Sequence, residues 1–208
     1  MEPEEFVSFL GHERASAILR TSDEAAAGPA MDAAIRGGFR AVEFTLTTPG
    51  ALDRIEEFSR REGVVVGAGT VLTVEEAREA VSRGARFLVS PVVDPAVIRE
   101  AVALGVAAIP GAFTPTELHA AHRAGAPLQK LFPAPGTGPA YVRACLGPMP
   151  FLRIVPTNGV DASNAAAYLE AGAFAVGFVN SLFEKADLEA KRFDRIEERA
   201  RRLLAAIR

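Results

Sequence analysis

The chain of 208 residues has very little lysine, a single cysteine and no long run of apolar residues. Cys145 alone cannot form an intrachain disulfide or a metal site built from cysteines. No apolar run approaches the roughly 20 residues that a helix needs to cross a bilayer. The acidic segment 1–5 is not followed by an apolar stretch, so an ordinary secretory signal is not expected.

The chain also carries little net charge. The formal net charge is −3, which gives no reason to expect binding to nucleic acid or to an anionic membrane. With 49% hydrophobic residues the chain is long enough to form one sizeable core. We therefore expect a cytoplasmic protein folded as one domain over residues 1–208.

The three lysines, against twenty arginines, are unevenly placed. Lys185 and Lys191 lie in the polar C-terminal segment, whereas Lys130 lies in the apolar run 128–133, which is typical of a buried strand. A buried lysine loses its proton more easily than an exposed one, and the neutral amine is a nucleophile. Arginine stays charged. Lys130 is therefore a candidate nucleophile; the alternative is a lysine at a strand end whose amine reaches solvent.

A unit of apolar strand, turn, amphipathic helix and glycine repeats along the chain. Strands that are apolar on both faces and alternate with helices predict a parallel sheet. Eight such units close most naturally into a (β/α)₈ TIM barrel, and an open doubly wound sheet is the competing architecture. We predict an extra N-terminal helix over residues 1–14 and one long charged helix over residues 188–207. The predicted strands are 15–20, 40–46, 64–70, 87–91, 107–111, 128–133, 151–158 and 174–179.

Alternation along the strands predicts which side chains point into the barrel near the C-terminal strand ends, where such barrels have their active sites. On the second strand the apolar side chains suit the helix interface, so Glu43 and Thr45 are expected to face inward. On the third strand the same reasoning groups Thr70 with Val66 and Ala68. One amine and one carboxylate among apolar groups are a candidate nucleophile and proton carrier, although a structural ion pair is an alternative reading. The predicted inward residues at this end are Glu43, Thr45, Thr70, Lys130 and Thr157.

Seven segments carry a more specific signal in their order and spacing. They are 17–20 (AILR), 38–46 (GFRAVEFTL), 66–72 (VGAGTVL), 88–91 (LVSP), 109–117 (IPGAFTPTE), 130–134 (KLFPA) and 156–160 (PTNGV). Together they resemble the class I aldolases that cleave 2-keto-3-deoxy-6-phosphogluconate, 4-hydroxy-2-ketoglutarate and the 6-phosphogalactonate analogue. The resemblance covers nearly the whole chain.

The resemblance implies a lyase that releases pyruvate from a keto acid and needs no metal or cofactor, and it implies a homotrimer. Lys130 would form a Schiff base with the keto carbon, and Glu43 would move protons. Phe132 is expected to pack beside the lysine and to shape the pocket. The remaining implied residues are Arg20, Thr45, Thr70 and Thr157 for the polar atoms of the substrate, and Asn158, Gly159, Asn180 and Ser181 for a distal phosphate.

Three positions depart from the pattern of that family. Thr47 stands where the family often has an arginine, and threonine cannot make a bidentate charged contact, so carboxylate binding is expected to rest more on Arg20. Asn158 replaces a glycine in the seventh-strand loop, and Val179 lies in an eighth-strand loop that is usually glycine-rich. These departures predict weaker selectivity for phosphate, with an unphosphorylated 2-keto-3-deoxy acid as the alternative substrate.

Other interpretations compete with this one. His119 and His122 lie three apart on a predicted helix, but without a carboxylate or cysteine nearby we interpret them as surface residues. The segment 67–69 (GAG) lacks the third glycine of a dinucleotide-binding loop. A pyruvate-dependent decarboxylase, a phosphosugar isomerase and a non-catalytic sugar-phosphate binder are the rival functions. The presence of both Lys130 and Glu43 weighs against a pure binder.

Overall fold

The computed structural model describes residues 1–207, in which eight parallel strands alternate with helices. Proline or a capping side chain begins several helices: Thr73 and Thr114 each accept from the backbone three residues on, within a capping box. The elements in chain order are α1 Pro3–Glu13, β1 Ala15–Leu19, α2 Glu24–Arg36, β2 Ala41–Thr45, α3 Ala51–Ser59, β3 Val65–Gly69, α4 Val74–Ser82, β4 Phe87–Ser90, α5 Pro95–Ala103, β5 Ala107–Ala112, α6 Pro115–Arg123, β6 Gln129–Leu131, α7 Pro139–Leu146, β7 Ile154–Pro156, α8 Ala165–Glu170, β8 Val176–Phe178, α9 Lys185–Glu189 and α10 Phe193–Ala205.

The strands close into a barrel. The sheet runs β7-β6-β5-β4-β3-β2-β1-β8, and every strand pair is parallel. Its two end strands meet through a bridge between Thr157 and Gly177, and the backbone N–H of Phe174 donates to the carbonyl of Ile154 at 2.8 Å. The predicted (β/α)₈ barrel and its extra N-terminal helix are thus confirmed, and the open doubly wound sheet is not formed.

Helix α1 covers the N-terminal end of the barrel. Phe6, Val7 and Leu10 are buried, and the ring of Phe6 stacks on that of Phe87 at 4.5 Å. These side chains join the inward apolar residues of the strands in one cluster, separate from the layer between strands and helices. Because this end is filled, the opposite end, where the strands finish, is the open mouth. No helix within residues 1–207 has the length and apolar character needed to cross a bilayer.

Two predictions about the strands are wrong in detail. On β3, Val66 and Ala68 pack in the layer against the helices, and the inward positions are Val65, Gly67 and Gly69. Alternation could not give the orientation of this strand, because both of its faces are buried and two inward positions carry no side chain. Strands β6, β7 and β8 are also shorter than predicted, with three residues each.

The predicted single helix over residues 188–207 is wrong as well, since α9 and α10 are separated by a turn. Lys191 has a φ of 52°, and its N–H donates to the carbonyl of Leu188. The N–H of Arg192 donates to the carbonyl of Asp187. This pair of bonds is a Schellman ending, which usually uses glycine at the left-handed residue, so the lysine gave no sign of it.

Candidate active site

Lys130 on β6 and Glu43 on β2 point into the barrel near its mouth. Both are buried, with 6% and 2% of their surfaces exposed. They line one small cavity of about 10 Å³, together with Thr157 on the chain after β7. Neither side chain forms an ion pair within residues 1–207, so the structural ion pair considered as an alternative is not made. The predicted amine and carboxyl are therefore brought to the same space.

Burial shifts both groups toward their neutral forms. Burial lowers the pKa of Lys130 and outweighs the Glu43 carboxylate, which acts to raise it; the Arg20 guanidinium lowers it further. Burial raises the pKa of Glu43, against the opposing effect of Lys130 and Arg20. Glu43 Oε1 has no hydrogen-bond partner among residues 1–207. Burial therefore favours the neutral, nucleophilic form of the amine and the protonated form of the carboxyl group, which can donate a proton.

The ring of Phe132 lies beside the amine, with Lys130 Nζ 4.7 Å from the ring centroid. Phe132 is half-buried and follows β6 directly. A ring face at this distance attracts the charged form of the amine and limits its access to water. This is the position that the sequence predicted for Phe132.

Arg20 and Thr70 meet at the mouth of the barrel, with Arg20 Nη2 3.4 Å from Thr70 Oγ1. Arg20 follows β1 and is exposed. Thr70 follows β3 with a φ of 60°, and this left-handed residue turns its side chain toward Arg20. Thr70 therefore reaches the mouth, although the strand alternation used to place it there was wrong.

Threonine hydroxyls connect the ends of β1 and β2. Thr45 is buried, and its Oγ1 lies 3.0 Å from Thr47 Oγ1 and 3.2 Å from Thr48 Oγ1. Thr48 Oγ1 in turn accepts from the backbone N–H of Thr21 at 3.3 Å. The hydroxyl of Thr45 is thus used within the protein. Thr48 was missed at the sequence level, although the run TLTT at a strand end was a visible signal of hydroxyl pairing.

The loops after β7 and β8, to which the resemblance assigns a phosphate, differ in their contacts. Asn158 and Gly159 are exposed, with φ values of 63° and 104°, and the N–H of Ala134 donates to the carbonyl of Asn158 at 2.9 Å. This hydrogen bond therefore joins the loop after β7 to the loop that follows Lys130 and β6. Ser181 donates its hydroxyl to the carbonyl of Val160 at 2.7 Å, so this hydroxyl already has a partner.

A larger cavity of about 380 Å³ adjoins the mouth at the ends of β1, β2 and β8. Asn180 lines it together with Arg20, whereas Asn158, Gly159 and Ser181 do not. Sequence reasoning missed the residues contributed by α9, since that helix was not predicted as a separate element. The lining residues are Arg20, Thr21, Ser22, Asp23, Thr47, Asn180, Phe183, Lys185, Leu188 and Glu189.

Comparison with known proteins identifies the family. The family described as KDPG and KHG aldolase matches residues 8–199. The chain belongs to this family. The aldolase is therefore a carbon–carbon lyase, as the resemblance of the seven segments implied. KDPG is 2-keto-3-deoxy-6-phosphogluconate and KHG is 2-keto-4-hydroxyglutarate.

Individual relatives agree with this assignment. A probable 2-dehydro-3-deoxy-6-phosphogalactonate aldolase of Rhizobium meliloti (strain 1021) is 39% identical to this chain over 171 residues, which cover 81% of each protein. A solved structure described as native KDPGal has a TM-score of 0.83 at 31% identity and covers 92% of this chain and 93% of its own. A KDPG aldolase from Legionella pneumophila, solved with pyruvate as a covalent carbinolamine, has a TM-score of 0.81 at 25% identity, covering 93% and 97%.

His119 and His122 lie outside the mouth of the aldolase. Both are exposed and lie around the ring of Phe151, at centroid distances of 6.4 and 4.7 Å. Within residues 1–207 no three histidine, cysteine or acidic side chains are grouped as metal ligands would be. The interpretation of the two histidines as surface residues agrees with their exposure.

Proposed function

We propose that the aldolase cleaves a 2-keto-3-deoxy-6-phospho sugar acid, or 4-hydroxy-2-oxoglutarate, to pyruvate and an aldehyde through a Schiff base on Lys130. The observation that carries the proposal is the buried amine of Lys130, whose pKa is lowered and which shares a cavity with the carboxyl of Glu43. The carbinolamine in the Legionella structure and the sugar acid named for the Rhizobium relative support the covalent route and the substrate class.

The proposed reaction uses the amine and the carboxyl in turn. Neutral Lys130 adds to the C2 carbonyl to give a carbinolamine. Glu43 then donates its proton to the carbinolamine hydroxyl, which leaves as water, so that a protonated imine forms and Glu43 becomes ionised. The C3–C4 bond then breaks: its electrons move toward the imine nitrogen to form an enamine, while the C4 hydroxyl gives its proton to ionised Glu43 and becomes an aldehyde. Glu43 returns the proton to C3. Water then adds to the protonated imine and gives a proton to Glu43, so that pyruvate is released and both the neutral amine and the protonated carboxyl are restored.

The polar residues around the mouth are assigned to binding. Arg20, Thr70 and Thr157 would hold the carboxylate and the oxygen atoms near C2. Arg20 is the only charged one of the three, so it is the residue proposed to compensate for the arginine that Thr47 replaces. Asn180 would meet the tail of the substrate in the larger cavity. Asn158 and Gly159 would contact a phosphate that extends toward the loop after β7.

Trapping with pyruvate tests the covalent step. Incubation with pyruvate and borohydride should leave a stable adduct that peptide mapping assigns to Lys130. Lys130→Arg should abolish both the adduct and turnover, because a guanidinium does not act as an amine nucleophile. Lys191→Arg is the matched control, since this lysine is exposed between α9 and α10, lines neither of the two cavities and should keep both. An adduct on Lys185 or Lys191, or none, would contradict the proposal.

An unphosphorylated acid is the second candidate substrate, and the charges of the larger cavity favour it. Two basic residues, Arg20 and Lys185, are balanced there by Asp23 and Glu189, so a dianionic phosphate on a substrate tail bound in this cavity would meet no net positive charge. Neutral polar groups such as Asn180 suit a hydroxylated tail. Comparison of kcat/KM for phosphorylated and unphosphorylated 2-keto-3-deoxy acids of equal length decides between them. We expect a small ratio; a preference of ~10³-fold for the phosphorylated acid, roughly 4 kcal/mol, would exclude the second candidate.

We also propose that the aldolase is a cytoplasmic homotrimer. Leu72, Val92 and Phe113 expose 47%, 51% and 45% of their surfaces on the loops that follow the adjacent strands β3, β4 and β5. Exposed apolar side chains that gather at one end of a molecule are typical of a contact surface, which supports association with further copies. A cytoplasmic location suits a phosphorylated substrate, because such an anion does not cross a bilayer unaided.

A further inference from the structure

Gly69, the last residue of β3, faces the carboxyl group of Glu43 across the barrel interior. A Cβ atom at Gly69 would lie 1.9 Å from Glu43 Oε1, 2.7 Å from its Cδ and 3.0 Å from its Cγ. The first two distances are shorter than real Cβ contacts, and the third is tighter than most of them. The hydrogen of glycine thus leaves a recess, and the carboxyl of Glu43 occupies it.

We infer that Gly69 is a positioning residue, whose missing side chain fixes where the carboxyl group of Glu43 sits relative to Lys130. The inference rests on the proposed role of Glu43 as the proton carrier. It goes beyond that role because it says what determines the position of the carboxyl group. Gly69 itself does not touch the reacting atoms in this account.

Hydrogen bonds fix the backbone around Gly69, so a side chain added there would displace the carboxyl group of Glu43 rather than the strand. Gly69 pairs with Thr45 in the β2–β3 ladder, and its carbonyl accepts from the N–H of Leu46 at 2.7 Å. Glu43 Oε1, by contrast, has no hydrogen-bond partner among the described residues. Since no bond to that oxygen holds the carboxyl in place, its position depends on the shape of the space around it.

Gly67 provides a matched control on the same strand and the same face. A Cβ atom there would lie 2.5 Å from three atoms of the Phe87 ring, which stacks on Phe6 of α1. An added methyl group at Gly67 therefore disturbs the packed floor of the barrel. The same group at Gly69 disturbs the carboxyl of Glu43.

The test is a double-mutant cycle of Gly69→Ala and Glu43→Asp, with Gly67→Ala as the control. Gly69→Ala should lower kcat by ~10²-fold or more, the usual effect of losing a general acid–base group, and should alter the pH profile of kcat. Borohydride should still trap pyruvate on Lys130. Glu43→Asp shortens the side chain by one methylene and makes room for the methyl group, so it should cost at least ~10-fold less in the Gly69→Ala background than alone. Gly67→Ala should lower Tm and leave the pH profile unchanged.

Several outcomes overturn the inference. It fails if Gly69→Ala folds and keeps near-native kcat, or if the effects of the two substitutions are additive. Should Gly69→Ala fail to fold, restored folding in the double variant supports the inference, and a double variant that also fails to fold contradicts it. The proposed function has a separate test: it fails if Glu43→Gln retains turnover or if no adduct forms on Lys130, whatever the cycle shows.

Discussion

At the scale of single residues, the pKa of Lys130 depends on burial and on two neighbours whose charges act in opposite directions. The Glu43 carboxylate raises the pKa of the amine and the Arg20 guanidinium lowers it, while burial lowers it most. The nucleophile is the neutral amine, so each neighbour changes the pH at which the lysine reacts. The two neighbours can therefore be separated by the direction of their effects.

Neutral replacements should shift the reactivity of Lys130 in opposite directions. Glu43→Gln removes a negative charge, so the pKa of the amine should fall further and the acid limb of its reaction should move to lower pH. Arg20→Gln removes a positive charge, so the same limb should move to higher pH. The measurement is the limiting rate of borohydride trapping at saturating pyruvate, as a function of pH. Shifts in the same direction for both variants would contradict the charges assigned here.

The sequence predicted the two central residues because each is a polar exception in an otherwise apolar strand. Glu43 and Lys130 were placed by alternation, and the structure brings both to one cavity. Thr70 was placed by the same reasoning, but its side chain reaches the mouth because Thr70 itself adopts a left-handed conformation, which strand alternation does not describe. The role inferred for Gly69 could not be predicted, since a missing side chain gains meaning only when its neighbour across the barrel is known.

At the scale of elements, α9 and α10 hold the loop after β8 through a buried cluster of charges. Asp187 on α9 is 1% exposed and accepts from Arg192 Nε at 2.8 Å and from Arg199 Nη2 at 2.5 Å. Arg199 also donates to the carbonyl of Leu182 at 2.9 Å. This cluster therefore connects α10 to α9 and to the wall of the larger cavity, where Asn180 lies.

Removal of the Asp187 charge should weaken both stability and tail binding. Asp187→Asn removes the buried carboxylate partner of Arg199 and leaves it only the half-exposed Glu184, whose Oε1 lies 3.1 Å from Arg199 Nε. Breaking a buried pair in this way costs about 3 kcal/mol of unfolding free energy. It should raise KM for the full keto acid while leaving pyruvate trapping nearly intact. Glu189→Gln, on the same helix, breaks only the exposed pair with Lys185 at 3.7 Å and should cost about 0.5 kcal/mol or less. Equal losses of unfolding free energy in the two variants would contradict this account.

The pH dependence of stability gives a second measure of the same cluster. The hydrogen bond from Arg199 is the main cause that holds the pKa of Asp187 below its usual value. A carboxyl with a depressed pKa in the folded state stabilises the fold above its unfolded pKa, roughly 3.9, and this stabilisation is lost as the pH falls through the folded value. Urea unfolding between neutral and acid pH should show that Asp187→Asn loses less stability in acid than the native chain.

At the scale of the whole molecule, the repeat of strand and helix was enough to predict the barrel. Strand spacing and apolar runs depend on local sequence, and both survive in the structure with small changes of boundary. The division between α9 and α10 depends instead on the contacts of Asp187 with three arginines, which no local pattern shows. The larger cavity was missed for the same reason, because α9 forms one of its walls.

The proposed homotrimer can be tested at the exposed apolar loops that follow β3, β4 and β5. Sedimentation equilibrium of the native protein should give a mass of about 66 kDa, three times the 22.0 kDa of one chain. Val92→Glu places a charge among the apolar residues after β3, β4 and β5, and burial of an unpaired charge in a contact is strongly unfavourable. This variant should therefore shift toward the monomer.

Val102→Glu is the matched control for assembly. Val102 is also 51% exposed, but it lies on α5 rather than on a loop at the strand ends. The control should keep the native mass in sedimentation over a range of protein concentrations, while Val92→Glu dissociates on dilution. A native monomer, or equal dissociation of both variants, would show that the loops after β3, β4 and β5 do not form the contact. If Val92→Glu dissociates yet still yields the pyruvate adduct on Lys130, each barrel carries a complete site of its own, as the placement of Lys130 and Glu43 within one chain predicts.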